Sequence, residues 1–244
     1  MTDYPEDSRP TMPCLTNLLA IPNYGHRLML RALYVFFLIG FSSVLAFSQA
    51  TDPATVNFTL DFPGSQPERY SIRIQSDGAS HYESSGKLSA DSDQDDSFSF
   101  DFTASPEMRQ KVFALTAKAG YFQKELETRH KNLAFTGKKT LSFTDARRHG
   151  QSTYNYAGLP AAQELTSLFQ SLSATLEFGR RLHYDHRYQK LAIEEELKRM
   201  EQENRTTALV ELSAIAPILQ QIIDDPAVVN VSRARAQRLL TALR

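Results

Sequence analysis

The chain has 244 residues with 27 basic and 28 acidic side chains, and its formal net charge at pH 7 is −1. This near balance gives no electrostatic basis for binding nucleic acid. The single cysteine, Cys14, lies ahead of the region expected to fold. A disulfide framework, a thiolate metal site and a cysteine nucleophile are therefore excluded for that region.

The first recognisable feature is an uncharged stretch from Ala32 to Phe47. Two arginines precede it and small residues at 48–50 follow it, which is the layout of a secretory signal. A helix of this length spans about 24 Å and falls short of the roughly 30 Å hydrocarbon core of a bilayer. We expect residues 29–50 to be a signal peptide that is cleaved on export, which places the rest of the chain in the periplasm or outside the cell.

Two alternatives remain open at this end of the chain. An uncleaved helix at 32–47 would tether a membrane accessory protein that faces outward, and it is the only membrane contact that we expect. Residues 1–28 are long for the basic leader of a signal, and they contain three acidic residues and four prolines. We expect them to be disordered, or to precede a true start at Met29.

Four stretches after the leader alternate apolar and polar residues, which predicts strands with one buried face. They are residues 54–62, 69–76, 79–85 and 98–102. Asp77-Gly78 is a strong two-residue hairpin signal between the second and third stretches. Residues 84–97 are rich in Ser, Gly and Asp and predict a loop before the fourth.

A helix and two further strands follow. Ser105 and Pro106 are favourable N-cap and N1 residues, and Gly120 suits the position after a helix C-terminus. Residues 140–144 and 152–156 predict an antiparallel pair of strands.

A second helix opens at Pro160, and its apolar stripe repeats at helical spacing. The stripe comprises Leu165, Leu168, Phe169, Leu172 and Leu176. Gly179 is expected to weaken or end this helix. The order of strands and helices predicts an α+β fold for residues 51–182, in which an antiparallel sheet carries two helices on one face.

Residues 183–244 are predicted to be entirely helical, which makes them a helical C-terminal region after the α+β domain. Pro217 must kink or split one of the helices in this region, because proline cannot continue the hydrogen-bond ladder. Ser232 is predicted to cap the last helix.

The middle of the chain resembles a group of known sequences. The layout that carries the resemblance is Ser71-Ile72-Arg73-Ile74, Asp77-Gly78, Tyr82, Ser105-Pro106, Gly120-Tyr121-Phe122 and Leu159-Pro160. It is similar to a group of uncharacterised exported bacterial proteins over about residues 70–178. The resemblance supports the α+β fold and brings no catalytic motif with it.

His183 and His186 are the candidate metal ligands. These positions share one face of a helix, so both imidazoles can reach one ion, and a metal-dependent hydrolase stays open as an alternative function. The neighbouring Arg180, Arg181 and Arg187 would repel a cation. Their presence favours a polar hinge between the two regions instead of a metal site.

The apolar stripes of the helices at 207–243 need covering. They either cover one another and the α+β core, or they form a surface for a homo-oligomer or a protein partner. No nucleophile elbow, phosphate-binding loop or zinc-protease motif follows the leader, so the sequence gives no positive evidence for an enzyme. We expect an exported cell-envelope protein, with no cofactor, that binds a partner through its C-terminal helices.

Overall fold

The computed structural model describes residues 52–87, 95–130, 132–206 and 209–241. The expected signal peptide and the residues before it lie outside the described part of the chain. No helix in the described part is long and apolar enough to cross a membrane. Residues 51–244 cluster as one compact unit.

The described residues form one antiparallel sheet of six strands. These are β1 Thr55–Asp61, β2 Arg69–Gln75, β3 Ala79–Lys87, β4 Asp95–Thr103, β5 Lys138–Thr144 and β6 His149–Tyr154. Their order across the sheet is β4-β3-β2-β1-β5-β6, so the first four strands form a meander and β5 returns to the free side of β1.

The sequence alternation gives the sheet one covered face and one polar face. In β1, Val56 and Phe58 are fully buried, while the residues between them are only half-buried. The second face carries hydroxyl, amide and charged side chains, including Arg73 and Asp101. An antiparallel sheet with one solvated side is expected to show this division.

Five helices complete the fold of the described residues. They are α1 Pro106–Lys118, α2 Pro160–Tyr188, α3 Ile193–Thr206, α4 Ala216–Asp224 and α5 Asn230–Thr241. Two short 3₁₀ turns, Gly120–Phe122 and Leu212–Ile215, precede β5 and α4 respectively. The predicted α+β class is confirmed, since an antiparallel sheet is followed by a helix-rich C-terminal part.

α1 and α2 pack on the covered face of the sheet. The predicted cap of α1 forms, because the Ser105 hydroxyl accepts a hydrogen bond from the Met108 N–H at 3.1 Å. α2 crosses several strands, and its successive turns meet β6, β1 and β3. The three contacts are Thr166 with Tyr154, Phe169 with Phe58, and Ser173 with Tyr82.

The prediction that Gly179 weakens or ends the second helix is wrong. α2 continues to Tyr188 and therefore runs through the expected domain boundary at residue 182. A Cβ added to Gly179 would lie 2.5 Å from Cγ2 of Ile215. The glycine permits the close approach of the 3₁₀ turn before α4, and tertiary contact outweighs its low helix propensity.

The predicted loop at 84–97 is shorter than expected. β3 extends to Lys87 and β4 begins at Asp95, with Ser84 opposite Phe98 and Ser85 opposite Ser97. Backbone pairing and cross-strand contacts hold these polar residues in strands, although their intrinsic strand preference is low. Residues 88–94 are outside the described part of the chain.

The helices and connecting turns after α3 share the core of the α+β part. Their buried apolar side chains belong to the same hydrophobic cluster as the inner face of the sheet. These are Leu209, Ala214, Ile215, Ile218, Leu219, Ile222, Val228, Ala236 and Leu239. The split expected at Pro217 is observed, since this residue lies in the first turn of α4. The last helix begins at Asn230, two residues before the predicted cap, and Ser232 instead donates a hydrogen bond to Glu194 of α3.

Candidate ligand-binding site

A cavity of about 520 Å³ lies beside the second half of α2. Its walls come from the β1–β2 turn, from α2 and from α3. The wall residues with aromatic or polar side chains include Phe62, Tyr70, Ser173, Glu177, Arg199 and Glu203. The cavity thus joins the sheet, the long central helix and the helical C-terminal region.

Glu177 is the most deeply buried acidic side chain at this site, at 3 % exposure. Its Oε1 accepts hydrogen bonds from the Tyr82 hydroxyl at 2.8 Å and from the Ser84 hydroxyl at 2.7 Å. Both donors occupy inward positions of β3, where the neighbouring strands carry apolar residues. Ser173, one turn before Glu177 on α2, places its hydroxyl 3.1 Å from that of Tyr82.

The second oxygen of Glu177 is bound differently. Oε2 lies 2.9 Å from Nη2 of Arg180, yet it has no aligned hydrogen-bond donor among the described residues. Arg181 is more distant, with Nη1 at 3.9 Å. Burying a carboxylate costs several kcal/mol unless its charge and its lone pairs are matched. The charge of Glu177 is matched by that of Arg180, but only Oε1 accepts hydrogen bonds from aligned donors among the described residues.

The charge on Glu177 also affects the tyrosine that contacts it. Burial raises the pKa of Tyr82 well above its ordinary value, and the neighbouring carboxylate of Glu177 raises this pKa further. Tyr82 is therefore a fixed hydrogen-bond donor across the physiological pH range.

A shared carboxylate fastens α3 to α2 at the edge of the cavity. Oε1 of Glu196 accepts from Nε of Arg181 at 2.6 Å, and Oε2 accepts from Nη2 of Arg199 at 2.5 Å. The guanidinium groups of both arginines also lie over the ring of Phe178, at 4.7 and 5.7 Å from its centroid. Two of the cations around the cavity are thus already bound by the chain.

Asp185 lies further along α2, where the charges of Glu196, Arg181 and Arg199 affect its pKa. Burial raises the pKa of its carboxyl to about 6, and the charge of Glu196 adds to the rise, while Arg181 and Arg199 oppose it.

Lys139 offers a contrasting buried charge in a neighbouring cavity of about 400 Å³. Its Nζ donates to the carbonyl oxygens of Thr136, Asn155 and Gly137 at 2.8, 2.9 and 3.2 Å. An ammonium group has three N–H donors, so these contacts use all of them. Lys139 therefore holds chain segments together.

The two predicted metal ligands lie one turn apart on α2, and His186 already has a carboxylate partner. His186 places Nε2 at 2.9 Å from Oδ2 of Asp225, which also accepts from Lys190 at 2.5 Å. Partial burial lowers the pKa of His183, and the charge of His186 lowers it further. No group of three or more His, Cys, Asp or Glu residues in the described part of the chain is placed to hold a metal ion. The metal site at His183 and His186 stays a prediction.

In the described part of 207–243, most of the apolar side chains that suggested a partner surface are buried inside the unit. Exposed apolar side chains lie elsewhere, at the turn after α2 and at the start of α5. They include Tyr188 at 61 % and Leu191 at 84 % exposure. The ion pair of Lys190 with Asp225 and the hydrogen bond of Ser232 to Glu194 bring these two segments to the same end of the helical region.

Comparison with known proteins does not assign this chain to a family. Searches against models of protein families and against curated proteins find no match. No motif or periodic pattern in the sequence singles out Glu177. Its only signal is an acidic residue directly after Leu176, the last member of the apolar stripe of α2.

Proposed function

We propose that the protein is a non-catalytic binding protein of the cell envelope that holds a small polar ligand in the cavity beside Glu177. The observation that carries this proposal is a cavity of about 520 Å³ with a buried carboxylate in its wall. Ligand sites are typically clefts of about 300–1,000 Å³ in which apolar walls surround a few placed polar groups. The expected signal peptide supports a location in the cell envelope.

The geometry of Glu177 favours holding over catalysis. Tyr82 and Ser84 both donate to the same oxygen, which fixes the carboxylate in one orientation. The wall that α3 contributes, through Arg199 and Glu203, gives the helical C-terminal region a role in the site. In this role the helical C-terminal region contributes Arg199 and Glu203 to the cavity wall, and the apolar stripes of its helices can stay buried in the core.

A substitution that fills the cavity tests the proposal. Ala174 lines the cavity and is only half-buried, so Ala174→Phe should occupy the space with little strain on the core. Glu164→Phe is the matched control, because Glu164 is exposed on the same helix and contacts Lys111 of α1 instead. The measurement is ligand-observed NMR of the purified protein with a mixture of amino acids, simple amines, carboxylic acids and monosaccharides.

The expected result is that at least one class of compound contacts the wild-type protein and the control but not Ala174→Phe. If every compound behaves identically with all three proteins, the cavity is not a ligand site and the proposal is wrong.

A second candidate function is protein binding through the exposed end of the helical region. It is favoured by the exposure of Tyr188 and Leu191, because large exposed apolar side chains are ones that a partner or a second copy of the chain would cover. Leu191→Glu should then reduce the mass measured by light scattering, or the yield of a chemically cross-linked complex. Leu133→Glu, at another exposed leucine, is the control. Unchanged mass and cross-linking would remove this candidate.

The two remaining alternatives have direct tests. A metal-dependent hydrolase using His183 and His186 requires bound metal in the purified protein and its loss in His183→Ala. A membrane-tethered accessory protein requires that residues 32–47 remain, which N-terminal sequencing of the fractionated protein would show.

A further inference from the structure

We propose that the ligand in the cavity of about 520 Å³ is part of a neutral oligosaccharide, whose further sugar units lie in the neighbouring cavity of about 400 Å³. This inference rests on the proposed function and adds the chemical class and the length of the ligand. The shape of the site, the hydrogen-bonding groups in its walls and its aromatic rings support it.

The two cavities adjoin and share a wall along α2. Thr136 and Gln170 line both cavities, and both residues are exposed. The first α2 residue in the wall of the smaller cavity is Gln163, and the last in the wall of the larger cavity is Arg181. At 1.5 Å per residue, this part of the helix is about 27 Å long. A site of this length suits a chain of several units better than a single compact molecule.

Neutral amide and hydroxyl groups supply unfilled hydrogen-bonding capacity in these walls. The side chains of Gln66, Ser167 and Gln170 are exposed and make no hydrogen bond with other described residues. An amide side chain and a hydroxyl group can each both donate and accept hydrogen bonds. The hydroxyl groups of a sugar have the same dual capacity, so these side chains match a ligand that is rich in hydroxyl groups.

The charged groups of the walls already have partners within the chain. Arg181 and Arg199 both donate to Glu196, and Lys139 gives its three donors to backbone carbonyl oxygens. The buried carboxylate of Glu177 is paired with a guanidinium group. A charged ligand would have to displace one of these partners and leave a buried charge unmatched, whereas a neutral ligand leaves every pair in place.

Aromatic rings line both cavities. Tyr156 in the smaller cavity is 48 % exposed, and Phe62 in the larger cavity is half-buried. The C–H groups on the face of a sugar ring pack well against such rings, whose faces are apolar and carry partial negative charge. The backbone groups of α2 bond within the helix, so this wall cannot pair with an extended peptide in the way that a strand edge does.

Neutral hexasaccharides test the inference, and their disaccharides separate it from the proposed function. The probes are cellohexaose, chitohexaose, maltohexaose and laminarihexaose, each with its own disaccharide. The hexamer of glucosamine is a cationic chain of the same length at mildly acidic pH, and hexagalacturonate is an anionic one. A peptide of alternating Ser and Ala with blocked ends is the neutral peptide probe. Calorimetry measures the dissociation constant of each probe.

Four variants locate the binding. Ser167→Phe fills the smaller cavity from an exposed position, and Tyr156→Ala removes the exposed ring from the same cavity. Ala174→Phe fills the larger cavity. Glu164→Phe is the matched control, because Glu164 lies on the same helix and contacts Lys111 of α1 instead.

The expected result is that at least one neutral hexasaccharide binds the wild-type protein about tenfold or more tightly than its disaccharide, because the units in the smaller cavity add hydrogen bonds. It should also bind more tightly than both charged hexamers and the peptide. Ser167→Phe and Tyr156→Ala should weaken the binding of the hexasaccharide and leave that of the disaccharide unchanged. Ala174→Phe should abolish both, and Glu164→Phe should change neither. If Ser167→Phe does not fold, Tyr156→Ala decides alone.

The other outcomes separate the inference from the proposed function. A hexasaccharide that binds no more tightly than its disaccharide, or that the two changes in the smaller cavity leave unaffected, overturns the inference. So does tighter binding of a charged hexamer or of the peptide. In each case the larger cavity remains a ligand site if Ala174→Phe abolishes the binding. If no saccharide binds at millimolar concentration, the inference is wrong, and the test with small compounds decides the proposed function. Binding that Ala174→Phe leaves unchanged overturns both.

Discussion

The first half of α2 meets the sheet mainly through apolar side chains, whereas its second half also buries an ionisable side chain that contacts hydroxyl groups of the sheet. In the first half, Leu165, Phe169 and Leu172 are fully buried, and the ring of Phe169 stacks on Phe58 at 5.1 Å. In the second half, Glu177 contacts Tyr82 and Ser84 of β3. One helix therefore packs on one sheet through two kinds of interface.

The two kinds of interface differ in how much they are expected to stabilise the fold. Each large apolar side chain in the first half contributes about 1.5–3 kcal/mol by leaving water. A buried ion pair such as that of Glu177 with Arg180 is often no more stabilising than apolar residues of similar volume. Stability alone thus explains the buried polar contacts of the second half poorly, and the proposed ligand would give them a reason.

The largest effect is expected in the apolar half. Phe169→Ala removes a fully buried ring from the centre of the covered face, so the free energy of unfolding should fall by about 3–5 kcal/mol. Urea denaturation followed by circular dichroism measures this change. Phe135→Ala is the control, because Phe135 is 59 % exposed, and it should change stability by less than about 1 kcal/mol. Equal losses in the two variants would contradict the burial of Phe169.

The next largest change in stability is expected in the second half of α2, at Gly179. Gly179→Ala forces a methyl group to within 2.5 Å of Ile215 Cγ2, which should cost up to about 3 kcal/mol by overpacking. A gain in helix propensity of about 1 kcal/mol offsets part of this, so the net loss should be about 2 kcal/mol.

The background Ile215→Ala tests the cause of that loss. It removes the Cγ2 atom, so the same Gly179→Ala change should then stabilise the protein by up to about 1 kcal/mol. The comparison is a double-mutant cycle in urea unfolding. A loss of the same size in both backgrounds would show that the contact with Ile215 is not the cause.

The two halves also differ in how well the sequence predicts them. The stripe from Leu165 to Leu176 repeats at helical spacing, and the alternation of β1 to β3 identifies their buried faces, so the apolar interface follows from periodicity alone. Neither the hydrophobic periodicity nor any motif in the sequence marks Glu177 as a buried residue. Its partners Tyr82 and Ser84 are more than 90 residues away in sequence, and only the fold brings them together.

Gly179 shows why local signals fail in the second half. Helix propensity predicts a weakness at this residue, but the approach of the turn at 212–215 requires a side chain no larger than hydrogen. The same limit applies to the paired residues of the 84–97 segment, where pairing between β3 and β4 overrides a loop-like composition. In both cases a contact between distant segments decides the structure.

A smaller effect is expected from the hydroxyl group that donates to Glu177. Tyr82→Phe keeps the ring and removes one of the two bonds to Oε1, so it should lower the free energy of unfolding by about 1–2 kcal/mol. Tyr188→Phe, at an exposed tyrosine, should have almost no effect in the same urea titration. If Tyr82→Phe is neutral or stabilising, the polar half does not depend on this donor, and the comparison between the halves weakens.

The smallest effect concerns Asp185, at the edge of the charged cluster. Its folded pKa of about 6 lies above its ordinary value of 3.8, so between these pH values the unfolded chain binds fewer protons and stability falls as the pH rises. The full shift corresponds to about 3 kcal/mol, but solvent screening at this half-exposed site reduces the penalty to about 1 kcal/mol. Asp185→Asn removes the ionisable group and should therefore stabilise the protein by about 1 kcal/mol at pH 7 and by much less at pH 4. Urea unfolding at the two pH values, with the exposed Asp52→Asn as control, measures the difference. A gain of the same size at both pH values would mean that the carboxyl group of Asp185 titrates normally and that its burial does not raise its pKa.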